Sequence, residues 1–264
     1  MKYLVKKALY SAVPQSLFCD IVYFYNYFLE YDNLKKRIRE LDEREGRNGK
    51  HYKYTLRGFV EKRSIFFRIP RAASNSVSYA LFGHLAGGHK TAMEYKKTFG
   101  PCFDYFYKFT FVRNPFARLV SAYDYLKSGG HPVSLSDKRF GEEVINSYED
   151  FSDFVINWLD SDKRRYEKPH FYPQVHFLTI DDSLSVDFIG CVESVEEDFS
   201  RVKSKLGEDC KLPNKNAAQG NRKPIESFYT KDSVIEKVIN VYEKDFVELG
   251  YSSRIKDVGK PPKR

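Results

Sequence analysis

Two stretches constrain this chain more than anything else in it: RSIFFRIPRAASNSVSYAL (63–81) and YKFTFVRNPFARLVSAYDYL (107–126). Each passes from an apolar β-type run through a short polar turn into an amphipathic helix. Strands that read as near-continuous apolar runs belong to parallel sheets covered on both faces. The repeated strand–turn–helix order therefore predicts an α/β fold, a parallel sheet flanked by helices in a single domain. Each turn sets small or hydroxyl residues and an arginine where backbone N–H groups open outward, which is how folds grip anions with several oxygens. Two such grips beyond the carboxyl ends of one sheet predict a ligand with phosphates at both ends.

In the first turn, Pro70 forces Ile69 to stay extended and ends the strand. Ala72 and Ala73 carry little side chain, so a phosphate can approach the main chain. Ser74, Asn75 and Ser76 cap the new helix or offer their side chains to phosphate oxygens. Arg71 supplies a permanent charge and a planar donor fork. The GxxxxGK[ST] pattern of ATP- and GTP-hydrolysing P-loops is absent. Taken alone, this turn also reads as an ordinary strand-to-helix connection. In the second turn, Asn114 is a good N-cap and Pro115 suits the first helical position. Phe116, Leu119, Val120 and Tyr123 gather on one face of that helix, and Asn114, Arg118 and Ser121 on the other. Arg113 and Ser121 are then placed to hold one phosphate together. The bland alternative is a surface ion pair and a helix serine.

The rest of the 264-residue chain predicts a helix over 31–51, a strand over 64–69 and a helix over 75–86. A capping box at Thr91 and Glu94 opens a helix that stops at Gly100. Further along come a strand over 106–112, a loop over 128–141, a helix over 147–160 and strands over 175–180 and 186–192. Helices over 194–207 and 231–251 complete the order. Domain limits are set at 1–55 for an N-terminal helical extension, 56–252 for the main domain and 253–264 for a basic flexible tail. A net charge of +8 suits anionic ligands without choosing among them. No nucleic-acid recognition motif is present. The isolated cysteines point to free thiols in a reducing compartment, and the histidines lack ligand spacing, so no metal is expected. The segment 17–29 is apolar but too short to span a bilayer. It reads as a packed helix or, in the sharper alternative, as a peripheral membrane contact, which gives a cytoplasmic protein with or without membrane association. The oligomeric state is not readable.

These residues carry a resemblance. IPRAASNSV looks like the 5′-phosphosulfate-binding loop of sulfotransferases, commonly IPK-T-G/A-G/S-T-S, and FTFVRNPFARLVSAY is similar to their 3′-phosphate-binding strand and helix. VDFIGCVESVEEDFSRVKSKLG, LPNKNAA and VYEKDFVELGY follow in the order seen in bacterial members, so the likeness covers about residues 63–251 and falls nearest the carbohydrate (Golgi-type and bacterial) branch. The resemblance implies the P-loop-like sulfotransferase fold. It also implies 3′-phosphoadenosine 5′-phosphosulfate (PAPS) as donor, adenosine 3′,5′-bisphosphate (PAP) as product, and a carbohydrate or glycolipid acceptor. By position, Arg71 stands where the family has lysine near the leaving phosphate. Ala72, Ala73, Ser74, Asn75 and Ser76 line the 5′ site, Arg113 and Ser121 hold the 3′-phosphate, and Arg222 and Lys223 close over the nucleotide. Arg71 for lysine and Asn75 for threonine are departures that bear on affinity and rate.

Sulfuryl transfer to a hydroxyl needs a base. His89, two residues before the N-cap Thr91, should be neutral because a helix N-terminus disfavours an imidazolium, and GHKTAMEYKK resembles the family's base segment. His84 lies on an apolar stripe and reads as a core histidine. Glu193 is the second candidate base. His170 and Gln174 resemble acceptor contacts. The competing classes are a nucleotide-dependent kinase or phosphotransferase and a non-catalytic polyanion-binding protein.

Overall fold

A computed structural model describes residues 14–45, 54–160, 163–213 and 223–263. The chain opens with α1 (Gln15–Arg44), in which the two helical pieces read from the sequence are one 30-residue helix. Leu34, Ile38 and Asp42 recur at helical spacing and are buried. Asp42 accepts hydrogen bonds from Thr55 Oγ1 at 2.6 Å and Arg57 Nε at 3.0 Å. A buried carboxylate needs such partners, and these tie the first helix to α2 (Arg57–Glu61) at the start of the main body. The side chains at 18–26, on which a membrane contact was expected to rest, lie outside the described residues. Among the described residues no helix is long and apolar enough to cross a membrane.

The chain continues through β1 (Ser64–Phe67), α3 (Ser74–Phe82), α4 (Ala92–Phe99), α5 (Cys102–Tyr105), β2 (Tyr107–Val112) and α6 (Pro115–Lys127). Next come α7 (Leu135–Glu143), α8 (Phe151–Asn157), α9 (Gln174–Leu178), β3 (Thr179–Ile180), β4 (Ser183–Leu184) and β5 (Phe188–Cys191). Three helices end the order: α10 (Val195–Leu206), α11 (Asp232–Val241) and α12 (Glu243–Glu248). The main sheet is parallel with order β1-β2-β5, Phe66 opposite Phe109 and Phe109 opposite Phe188. β3 and β4 form a separate antiparallel hairpin.

Aromatic packing holds the sheet. Phe66 and Phe109 stack with centroids 4.9 Å apart, and both are fully buried. Burying one such ring stabilises the fold by about 1.5–3 kcal/mol. Gly190 permits the β2–β5 contact, because a Cβ there would come within 2.6 Å of the Phe111 ring. Thr110 Oγ1 donates to Phe67 O at 2.8 Å and so joins the carboxyl ends of β1 and β2. The two strand–turn–helix units consequently open side by side.

Three expectations are corrected. The stretch 128–141 contains α7, because Ser134 accepts from Asp137 N–H and caps it. The stretch 175–180 is mostly helical. Asp245, 70 or so residues away, accepts the Gln174 and Val175 N–H groups at 2.8 and 3.0 Å and caps the first turn of α9. The helix over 231–251 breaks into α11 and α12 at Tyr242. Within 253–263 a short helical turn at Ile255–Asp257 is followed by the buried Val258, and Asp257 accepts from Ser252, Arg254 and Lys260.

Candidate functional site

Parallel strands present their carboxyl ends to one mouth, and here the first turn is built under backbone strain. Arg71 and Ala73 lie in the left-handed region, at φ 68° and 54°. Non-glycine residues avoid that region, and it recurs at functional turns. Ala73 is the N-cap of α3 and makes no side-chain cap, in place of the hydroxyl cap that the sequence suggested. Asn75 is exposed, and its Oδ1 accepts from the buried Arg68 Nη2 at 2.8 Å, so it steadies a neighbouring cation. Ser74, Ser76 and Ala72 are buried around this turn.

The second turn meets the first directly. Asn114 caps α6, accepting from Phe116 N–H at 3.0 Å with Pro115 at the first helical position. Arg71 Nε donates to Ser121 Oγ at 3.1 Å. Arg118 Nε donates to Pro70 O at 3.0 Å, and its Nη1 donates to Tyr172 O at 2.8 Å. The helix face read as polar is thus buried by its grip on the first turn. Burial holds the Arg118 pKa below the usual arginine value.

Ser121 also lines a cleft of about 610 Å³ with Arg113, Lys223, Lys127, Tyr123 and Phe228. Three of the positions assigned to the nucleotide therefore share one cavity. Arg222 lies outside the described residues. Gln174 is a correction. It is completely buried, its Oε1 accepts from Arg113 N–H at 2.9 Å and its Nε2 donates to Arg113 O at 2.8 Å. With both ends of the amide engaged, it holds the backbone of Arg113 and meets no acceptor. Glu193 is likewise committed, accepting from Asn114 N–H and the Tyr251 hydroxyl, each at 2.8 Å. Burial raises its pKa, and the two hydrogen bonds fix the carboxylate between β2's end and Tyr251.

His89 follows Gly87, whose φ is 75° and where a Cβ would fall 2.3 Å from the Tyr95 hydroxyl. The turn brings His89 Nδ1 to 2.7 Å from Arg68 O. A carbonyl only accepts, so the proton sits on Nδ1 and Nε2 keeps its lone pair. Desolvation by the surrounding walls, then the Arg68 charge, pushes the His89 pKa down to about 4. By accessible surface the residue is exposed, so water offsets part of that desolvation; the direction of the shift stands and the imidazole is neutral at pH 7. The cause differs from the helix N-terminus invoked from the sequence. Thr91 does cap α4 through a full capping box, but burial and Arg68 dominate the shift.

His170 is half-buried, its ring 5.2 Å from that of Tyr125. Desolvation, opposed by Asp137 and reinforced by His89 and Arg71, drives its pKa down to about 3. The sequence reading missed the frame around it. Asp137 pairs with Lys168 Nζ at 2.8 Å, both side chains being nearly nine-tenths buried or more. The Tyr125 ring lies 4.4 Å from the Arg71 guanidinium carbon. The S-x-x-D cap at Ser134 was a visible signal for Asp137, whereas nothing local marks Lys168 or Tyr125. His84 is half-buried, and burial lowers its pKa.

The profile described as "Sulfotransferase family" matches residues 61–252. The chain is similar to carbohydrate sulfotransferase 14 of Danio rerio, 28% identical over 117 residues that cover 39% of this chain and 30% of that protein. It is also similar to carbohydrate sulfotransferase 11 of Mus musculus, 29% identical over 165 residues, 55% of this chain and 47% of that one. An uncharacterized protein of Archaeoglobus fulgidus is 32% identical over 125 residues, 47% of this chain and 88% of its own. The chain thus spans less than half the length of those two carbohydrate sulfotransferases. No solved structure matches.

Proposed function

The chain belongs to the sulfotransferase family, and from that premise we propose that it moves the sulfuryl group of PAPS to a hydroxyl of a carbohydrate or glycolipid acceptor. The observation that carries the reading is the 3.1 Å hydrogen bond from Arg71 to Ser121. It joins the two anion-binding turns at the edge of a cleft lined by Arg113, Ser121 and Lys223. The N-terminus of α3, which begins at Ser74 beside Arg71, and this set of cations fit a nucleotide with phosphates at both ends. The P-loop-like character of the fold and the catalytic limits 56–252 belong to the same proposal.

The donor supplies a sulfuryl group attached to a phosphate that can leave. The chain's own groups then divide the work. Arg113, Ser121 and Lys223 hold the 3′-phosphate, and the α3 amides with Arg71 hold the 5′ side and balance charge on the departing phosphate oxygen. His89 Nε2 takes the acceptor proton as the new O–S bond forms, with Nδ1–H anchored on Arg68 O. The energetic contribution is mainly positioning and electrostatics. Acceptor contacts fall to His170, and Gln174 takes no part in them.

Calorimetry with PAP in the presence of a chelator, set beside ATP with magnesium, tests the nucleotide. The proposal expects PAP to bind without metal and ATP–magnesium to bind far more weakly. Incubation with PAPS and a panel of glycans and glycolipids, read by mass spectrometry, should show addition of one sulfuryl group. Preference for ATP–magnesium would transfer the reading to a phosphotransferase. Binding that falls steeply with salt and ignores the 3′-phosphate would reduce it to polyanion binding.

A further inference from the structure

One face of α6 does more than the nucleotide reading requires. Arg118, Ser121 and Tyr125 are spaced three and four residues apart, so they project from the same side of the helix. All three act on the Pro70–Arg71 turn. Arg118 holds the Pro70 carbonyl, Ser121 accepts from Arg71 Nε, and the Tyr125 ring lies 4.4 Å from the centre of the Arg71 guanidinium. That distance is well within cation–π range.

Tyr125 is itself fixed. Its hydroxyl lies 3.4 Å from Asp137 Oδ2, and Asp137 is held by Lys168 Nζ at 2.8 Å and by His131 N–H at 3.2 Å. Its ring also packs 5.2 Å from that of His170, tilted by 31°. Burial, then the Asp137 charge, raises the phenol pKa to about 12, so it remains a donor across the working range.

We infer that Tyr125 is a positioning residue for Arg71: it stacks the guanidinium and so aims it at the nucleotide's 5′ side. The inference rests on the sulfotransferase reading for what Arg71 faces. It also gives a physical reason for arginine where that family commonly has lysine. Arg71 leaves the backbone at a left-handed φ of 68°, and its long side chain still has several torsions to fix. A planar guanidinium is fixed by one ring face and one hydroxyl, and a hydrated point-charge ammonium is not. Lysine at 71 would lose the stacked geometry, so the arginine and Tyr125 form one device.

The test is a double-mutant cycle on the full chain, read by calorimetry with PAP. Tyr125→Leu should weaken PAP by about 2- to 30-fold. Tyr125→Phe, which keeps the ring and loses only the hydroxyl, should stay within about twofold of the parent. Arg71→Lys should weaken binding, and adding Tyr125→Leu to it should change affinity by no more than about twofold. If the two losses multiply, or if Phe is as damaging as Leu, the clamp is overturned. A readout independent of nucleotide separates this from failure of the sulfotransferase reading. In the parent, the Arg71 Cδ protons should show a ring-current upfield shift in the NMR spectrum, kept in Tyr125→Phe and lost in Tyr125→Leu. Shifted protons in a parent that ignores PAP would uphold the clamp and refute the donor assignment. Unshifted protons in the parent would refute the clamp itself.

Discussion

Replacing Gln174 by leucine separates a structural role from a substrate-contact role at a position where sequence and structure disagree. The Gln174 side chain is fully buried and gives both amide atoms to the backbone of Arg113, at 2.9 and 2.8 Å. Leucine removes both partners at once and leaves an N–H and a C=O beside an apolar group. Each orphaned backbone group costs about 1–3 kcal/mol. Some of that is returned by the extra apolar burial, for a net loss of about 2–4 kcal/mol. For a chain of this size the thermal midpoint should fall by about 4–16 °C. PAP affinity should weaken too, because the backbone that carries the Arg113 guanidinium is no longer held. The assays are urea unfolding, read as a shift in midpoint at constant slope, and calorimetry at a temperature where the variant is folded. The reasoning is refuted if Gln174→Leu unfolds with the parent and binds PAP normally but raises KM for the acceptor alone. That outcome would restore Gln174 to the acceptor site.

Other changes probe the remaining groups. Arg113→Ala should cost PAP binding on the order of 1.5–3 kcal/mol, roughly 10- to 150-fold, and unchanged affinity would remove Arg113 from the cleft's function. His89→Gln should keep PAP affinity and lower kcat by about 10²- to 10⁴-fold; retained turnover would send the base role elsewhere. His89 is also depressed to about 4 in the folded chain against an ordinary 6.5. Between those values the unfolded chain binds the extra proton, so His89 supports full stability above about pH 6.5 and withdraws it as pH falls toward 4. His89→Gln should flatten that part of the stability–pH curve. Lys168→Met leaves the largely buried Asp137 carboxylate without its cation and should destabilise by about 3–5 kcal/mol. Burial alone would raise the Asp137 pKa, but hydrogen bonds from Lys168 and from the His131 N–H outweigh it and hold the pKa low. The parent's advantage should therefore fade as pH drops below about 4, where the carboxylate takes up a proton. Unfolding at a series of pH values measures both effects.

What can be read locally was readable from residue order. The two apolar runs became β1 and β2 because only a covered parallel sheet buries Ile65–Phe67 and Lys108–Val112 on both faces. Asn114–Pro115 and Thr91–Glu94 became helix starts because capping is settled within four residues. Arg71 and Arg113 stand just past those strand ends for the same reason, since a turn's residues travel with the turn. The use of the remaining side chains was decided by what closed over them from far along the chain. Asp245 turned 174–178 into a helix and Gln174 into a buried clamp. Arg68, not a helix end, dominates the charge around His89, and Tyr125, Asp137 and Lys168 meet only once α6, α7 and the segment before α9 have packed. Periodicity and caps are short-range and survive in a one-dimensional string. Burial, and with it the choice between contacting a ligand and holding a neighbour, exists only after segments 30 to 80 residues apart exclude water from one another.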